Sequence, residues 1–342
     1  MTGRMMGRKK WAGFGAGLLA LLLLPLLLSE SHQSTVITCL LYIYLGSAWN
    51  IIGGLGKQIS FGHAAFFGVG AYTSTILMLE IGVSPWIGMI AGGGVAAVAA
   101  ILLGVLCFRF RLGGVYFSIA TLVFAEIFRI LAINAEFLRK YSDVAGGLGI
   151  TIPFRSDPWN YQFAGNLPYY YIILALSAGA ILSGAAVRGS RLGYSLRALG
   201  DSDESAVALG VHPGKVKIAA LALSAFLVAL AGTFQFQFIR YLDPNQSFSL
   251  HLSIIMVFVC LIGGFGETFG VVVGAIFIVV VRETITSLTS LMGGMNAGAV
   301  SEAIYGACLM AVAYFFPNGI VSYARARIGR AKRMRITAAG TC

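Results

Sequence analysis

Apolar runs of roughly 20 residues, each long enough to cross a bilayer as a helix, recur along almost the whole chain. They lie near 11–28, 35–55, 60–80, 85–107, 115–133, 169–187, 218–239, 251–264, 269–288 and 300–316, and charged or Gly/Pro-containing segments bound them. Only 11% of the 342 residues are charged, against about 25% in soluble domains. This excludes a soluble enzyme, a secreted disulfide scaffold and a disordered chain. The expected fold is an all-α polytopic membrane protein of about ten spans. The third run is Gly-rich with polar residues at its start, and the eighth is short. Both are expected to be broken or re-entrant, a state tolerated at membrane depth only where the backbone is buried in protein or lines a cavity.

The basic residues orient the spans. With ten spans and both termini in the cytoplasm, 18 of the 24 Lys and Arg residues fall on the inner side. Four fall outside (Arg139, Lys140, Arg155, Arg240), and Arg129 and Arg282 lie within spans. Such asymmetry is the positive-inside pattern, and it accounts for the net charge of +11 without invoking nucleic acid. The reading divides the chain into a basic inner N-terminus (1–10), one membrane domain (11–320) and a basic inner tail (321–342). Its inner loop spans 188–217 and its long outer loop 134–167. The first run is expected to stay as a helix bent near Pro25. It is longer than a leader's apolar core, and no small-x-small cleavage pattern follows it. The outer-loop aromatics Trp159, Tyr161, Phe163, Tyr169, Tyr170 and Tyr171 suit an interfacial belt. The rows Gly266/Gly270/Gly274 and Gly88/Gly92 suit close helix packing. The five cysteines are scattered, with no zinc or redox spacing.

Three regions carry candidate chemistry. The first runs from Asn50 to Tyr72, where Gln58, Ser60 and His63 interrupt an apolar setting among many glycines. Buried polar groups need partners or a wet path, so Gln58, Ser60, Gly62 and His63 are substrate-path candidates. A lone histidine is more often a satisfied packing residue than a ligand. Gly56-Lys57 does not make a phosphate loop, since Ile51 and Gln58 occupy the positions that need Gly and Ser/Thr. The second is the fifth span, where Tyr116 and Ser118 could face a path and Glu126 and Arg129 at i,i+3 can neutralise each other. The third is the loop from Ser190 to Lys217. There Asp201 or Ser202 can cap a short helix with Asp203 and Glu204 in its first turn, Gly210 can close it, and Pro213 stops it.

The run Asn50, Gly54, Gln58, Ile59, Ser60, Gly62, His63, Ala64, Ala65, Phe66, Gly68, Gly70, Ala71, Tyr72 resembles the signature of the second permease subunit of bacterial branched-chain amino-acid ABC importers. Lys57 departs from it, standing where a small residue is common. Gly113–Leu122, Gly146–Ile150, Ser190–Gly193 and the Gly-rich break Gly263–Gly270 resemble further family segments in order. The break adds Gly263 and Gly264 to the path candidates. The resemblance covers about residues 40–320. It implies a non-catalytic permease of the bacterial inner membrane that carries branched-chain or other hydrophobic amino acids. The implied partners are a related permease, two cytoplasmic ATPases that bind the ATP, and a periplasmic binding protein, with no cofactor on this chain. In the loop, Asp201, Glu204, Ala206, Ala208 and Gly210 match the segment that docks on the ATPases. Related subunits that carry urea or short amides, and an ion-coupled transporter with Glu126 as carrier group, are the alternatives. An intramembrane enzyme lacks a third group beside Ser60 and His63.

Overall fold

A computed structural model describes residues 21–26, 28–135, 149–152, 154, 157–291, 297–315 and 319. The basic ends, most of the first expected span and the segment 136–148 lie outside the described residues. The helices are α1 (Glu30–Asn50, continued by a π-helical turn Ile51–Leu55), α2 (His63–Ile81), α3 (Pro85–Arg109), α4 (Gly114–Asn134) and α5 (Leu167–Gly189). They continue with α6 (Arg191–Asp201), α7 (Asp203–Ala208), α8 (Pro213–Ile239), α9 (Pro244–Ser247), α10 (Leu250–Gly263), α11 (Gly270–Leu291) and α12 (Ala297–Phe315). Among the described residues nine helical segments are long and apolar enough to cross a membrane. They match the second to tenth expected spans, and the protein is a multi-pass α-helical membrane protein. Of the first span, Leu24–Leu26 forms a 3-10 turn around Pro25, at the position of the expected bend.

Two expectations about broken spans resolve differently. The third span is not broken: α2 is continuous over 19 residues, and the polar residues before it form a separate non-helical link, 56–62. The eighth span is broken. Its 14-residue α10 covers about 21 Å, short of the roughly 30 Å hydrocarbon core, and one-turn α9 with Phe248 and Ser249 extends it.

Contacts between connections sort them into two ends. At one end β1 (Ile150–Thr151) pairs antiparallel with β2 (Tyr241–Leu242), Asn166 Nδ2 donates to Glu30 O at 3.1 Å, and Ser84 Oγ donates to Trp159 O at 2.5 Å. At the other end Lys57 meets Asp201, Lys217 meets Asp203 and Arg188 meets Glu267. Every one of these pairs joins segments that the charge count puts on the same side. At these connections the packing agrees with the alternation inferred from lysines and arginines.

α1, α2 and α8 form the centre of the bundle. Small residues set their spacing: a side-chain carbon on Gly232 of α8 would strike Phe67 O of α2, and one on Gly92 of α3 would lie 2.7 Å from Gly70 O. Gly88 likewise faces Ser74, so the Gly88/Gly92 row packs α3 on α2 as expected. The other row is corrected. Gly270 and Gly274 lie against the α10 backbone at Gly263 and Val259, but Gly266 faces Gly54 instead. The aromatic belt is also corrected in part. Trp159 and Tyr171 are exposed, whereas Tyr161, Tyr169 and Tyr170 are buried. Tyr161 packs on Trp86 with ring centres 4.2 Å apart, and Tyr169 lies edge-on to Phe238. Tyr169 and Tyr170 hydroxyls donate to backbone carbonyls at Tyr161 O and Leu21 O, so the rings plug the end of the bundle that carries β1 and β2.

Candidate functional site

The π-helical turn after α1 is built from its glycines. Side chains of Trp49 and Asn50 fold back over Gly53 and Gly54 so closely that any Cβ there would collide with them. Trp49 Nε1 then reaches Ser60 O at 2.9 Å. The link 56–62 is pinned on every side. Ser118 Oγ of α4 donates to Ile59 O at 2.7 Å, and Phe61 N donates to Thr121 Oγ1 at 3.1 Å. Ser253 Oγ of α10 accepts from Ala64 N at 3.0 Å, satisfying one of the free amides that begin α2. Gly62 lies flat against α4, and a Cβ there would come within 2.5 Å of Thr121 O.

His63 is fully buried, and its partners fix its state. Ser224 Oγ donates to Ala48 O at 2.7 Å and therefore accepts from His63 Nε2 at 2.8 Å. Nδ1 is then the acceptor for Ser60 Oγ at 2.9 Å, while that oxygen accepts from Gly62 N. Both ring nitrogens are thus used, with no spare group. Ser60 and His63, expected as path residues, are internal braces. Gln58 is buried, and its Oε1 has no hydrogen-bond partner among the described residues. Of the path candidates it keeps an unused acceptor at this end.

The break after α10 is a second piece of the same end. Gly264 and Gly266 take φ values of +100° and +73°, which glycine adopts without strain. Gly263 and Gly270 touch backbone to backbone, so α10 and α11 turn back on each other within six residues. Asn50 Oδ1 accepts from Gly266 N at 2.9 Å. Arg188 donates to Gly266 O and lies 3.6 Å from Glu267. The turn is thereby clamped between α1 and α5, beside a shallow cleft lined by Ser47, Asn50, Arg188 and Thr268.

The inner loop differs from the expected single helix Asp201–Gly210. It holds two helices: Asp201 ends α6, and α7 starts at Asp203. Ser202 is the cap, its Oγ accepting from Ser205 N at 3.2 Å. Asp203 and Glu204 fill the first turn, facing the positive helix end. Val211 N bonds Ala206 O and Gly210 N bonds Val207 O with Gly210 at φ +82°, the paired bonding of a Schellman stop. Ala206 is buried, Ala208 and Glu204 are exposed, and Leu209 is 81% exposed beside Val207 at 51%. Asp201 instead pairs with Lys57 at 2.8 Å, and this hydrogen bond holds its carboxyl below the ordinary carboxylate value.

The remaining path candidates take no part in these bonds. Tyr116 is 73% exposed on the outside of α4, so it does not line an internal path in this chain. Glu126 has both carboxylate oxygens on Arg129, at 2.5 and 2.9 Å, and Arg129 also donates to Asn245 of α9. The expected pair is present, toward the opposite end.

The family model for the branched-chain amino acid transport system / permease component matches residues 33–313. The chain belongs to this family. The high-affinity branched-chain amino acid transport system permease protein LivM of Escherichia coli is 27% identical over 333 residues, covering 91% of this chain and 76% of LivM. LivM of Salmonella typhimurium is 27% identical over 322 residues, covering 89% and 73%. The fructose import permease protein FruF of Bifidobacterium longum is 29% identical over 142 residues, 40% of this chain and 38% of FruF. No solved structure matches the chain.

Several residues of the permease that hold this end together carry no mark of that role in sequence: Thr121, Arg188, Lys217, Ser224 and Ser253. Lone serines and threonines in apolar runs carry no local signal of the partner they will meet. Ser224→Ala should leave His63 Nε2–H unpaired in the core, which costs about 1–3 kcal/mol. A lower thermal midpoint in detergent is the expected result, and an unchanged midpoint would mean that His63 is not braced as described.

Proposed function

We propose that this permease is one membrane subunit of an ATP-driven, binding-protein-dependent importer for branched-chain or other hydrophobic amino acids in a bacterial inner membrane. It would act with a related permease subunit, two cytoplasmic ATPases and a periplasmic binding protein. The observation that carries the reading is α7: a capped, stopped helix in the basic loop 188–217 that presents Val207 and Leu209 outward while ion pairs tie its corner to the bundle. A short apolar helix end is suited to a partner's groove. ATPase closure would press on α7 and bias the bundle between two states, to the extent that the nucleotide binds those states differently.

The bidentate Glu126–Arg129 pair favours this reading over ion coupling, because a carrier carboxylate must be free to release and rebind its ion. The test is uptake into proteoliposomes holding all the subunits. Labelled leucine should enter only with ATP at the ATPase side and binding protein at the other. Uptake driven by a proton or sodium gradient without ATP would overturn the reading. Preference for fructose over leucine would move the substrate class to sugars.

A further inference from the structure

Asp201 and Asp203 flank Ser202 at the corner between α6 and α7, and each is held by a different part of the bundle. Asp203 Oδ2 lies 2.7 Å from Lys217 Nζ at the start of α8. The Lys217 side chain is only 5% exposed, with its ammonium 5.9 Å from the Phe108 ring of α3. α3 and α8 are closely seated here, since a Cβ on Gly104 would lie 3.0 Å from Ile218. Lys217 cannot leave Asp203 without stranding a buried charge, so this end of the corner is fixed.

The other end is built differently. Lys57 and Asp201 meet at 2.8 Å with side chains 61% and 77% exposed, the kind of pair that water and salt let break and re-form. α6 sits directly on the turn that carries Lys57: a Cβ on Gly200 would lie 3.1 Å from Leu55 O and 3.3 Å from Lys57 Cγ. Lys57 itself has φ +51°, a region uncommon for a residue with a Cβ. From there the chain passes to Ile59 and Phe61, both bonded to α4, and then into α2.

We infer that Lys57 and Asp201 form a cytoplasmic latch that passes movement of α7 into the link 56–62 and so to α2 and α4, with Lys217–Asp203 as the pivot. The inference rests on the importer reading. One corner is tied rigidly to the α3–α8 scaffold and loosely to the link. A push on α7 therefore turns about Asp203, and the displacement appears at Asp201.

The test uses the complete importer in proteoliposomes, and wild-type ATP-dependent leucine uptake is measured first. Its absence would overturn the importer reading itself. The variants are then Lys57→Asp, Asp201→Lys and the two combined. Both replacements suit their sites, since Asp tolerates positive φ and a lysine favours a helix C-terminus. Each single variant should raise the ATP hydrolysed per leucine imported at least fivefold, and the exchanged pair should return it to within twofold of wild type. Lys57→Gly fits the same backbone without the ammonium and covers the case in which a repelling variant fails to assemble; it should uncouple in the same way. A wild-type ratio in Lys57→Gly, or an exchanged pair no better than the worse single variant, would overturn the latch.

Discussion

Gly62→Leu is expected to reduce leucine uptake by more than about tenfold in a permease that still inserts and assembles, because overpacking one contact costs about 1–3 kcal/mol and leaves the rest of the bundle intact. At Gly62 the first added carbon would stand 2.5 Å from Thr121 O and 2.9 Å from Thr121 Cβ. The link 56–62 would have to lift from α4, breaking the bonds from Ser118 Oγ to Ile59 O and from Phe61 N to Thr121 Oγ1. Those two bonds tie the link to α4 among the described residues. Gly94→Leu is the control: it adds the same side chain where nothing lies within 4 Å, and it should transport like wild type. Size-exclusion recovery and uptake, measured together, separate misfolding from lost transmission. Normal uptake by Gly62→Leu would remove this contact from the moving parts.

A second large effect is expected from Val207→Asp combined with Leu209→Asp. Both residues are exposed, so the helix and its stop, whose bonds are made by backbone atoms, should persist. A buried leucine contributes about 1.5–3 kcal/mol to an interface, and an unpaired carboxylate in its place is penalised further. ATPase subunits co-purified with the permease should fall below about a tenth of the wild-type amount, since each 1.4 kcal/mol is tenfold in affinity. Uptake should fall with them. Full recovery of the ATPases would place their docking surface elsewhere.

The spans were legible because a membrane helix is declared by one local quantity, a long apolar run, and the charge asymmetry supplies their direction. Turn chemistry was legible for the same reason: Ser202, Asp203, Glu204 and Gly210 mark the two ends of α7 within one short stretch. α6 was missed although its signal is present. Leu192, Leu196 and Leu199 recur at helical spacing, and Leu196 and Leu199 are buried. Gly193 and Gly200 read as loop residues, yet both are needed for close seating, Gly193 against Val187 O and Gly200 against Leu55 O.

What could not be read is pairing between distant residues. Lys57 and Asp201 are 144 positions apart and His63 and Ser224 161, and no local pattern connects them. The polar run 58–63 looked like a path because polarity in an apolar chain signals either a path or a brace. Only the positions of Ser224, Trp49 and Thr121 decide for the brace. Glu126 and Arg129 were legible as a pair because one helix carries both, while their third partner, Asn245, lies 116 positions from Arg129.

If ATPase movement enters the permease through α7, cross-linking from Leu209→Cys in the assembled importer should catch the contact. The native cysteines would be replaced first, and a short bifunctional reagent would join the single thiol on α7's stop to whatever lies against it. The expected product joins the permease to an ATPase subunit, forms only when the reagent reaches the cytoplasmic face, and changes in yield with ATP. A thiol there that reacts with an impermeant reagent from the periplasmic side, or that yields no ATPase product in an importer active for leucine, would contradict it.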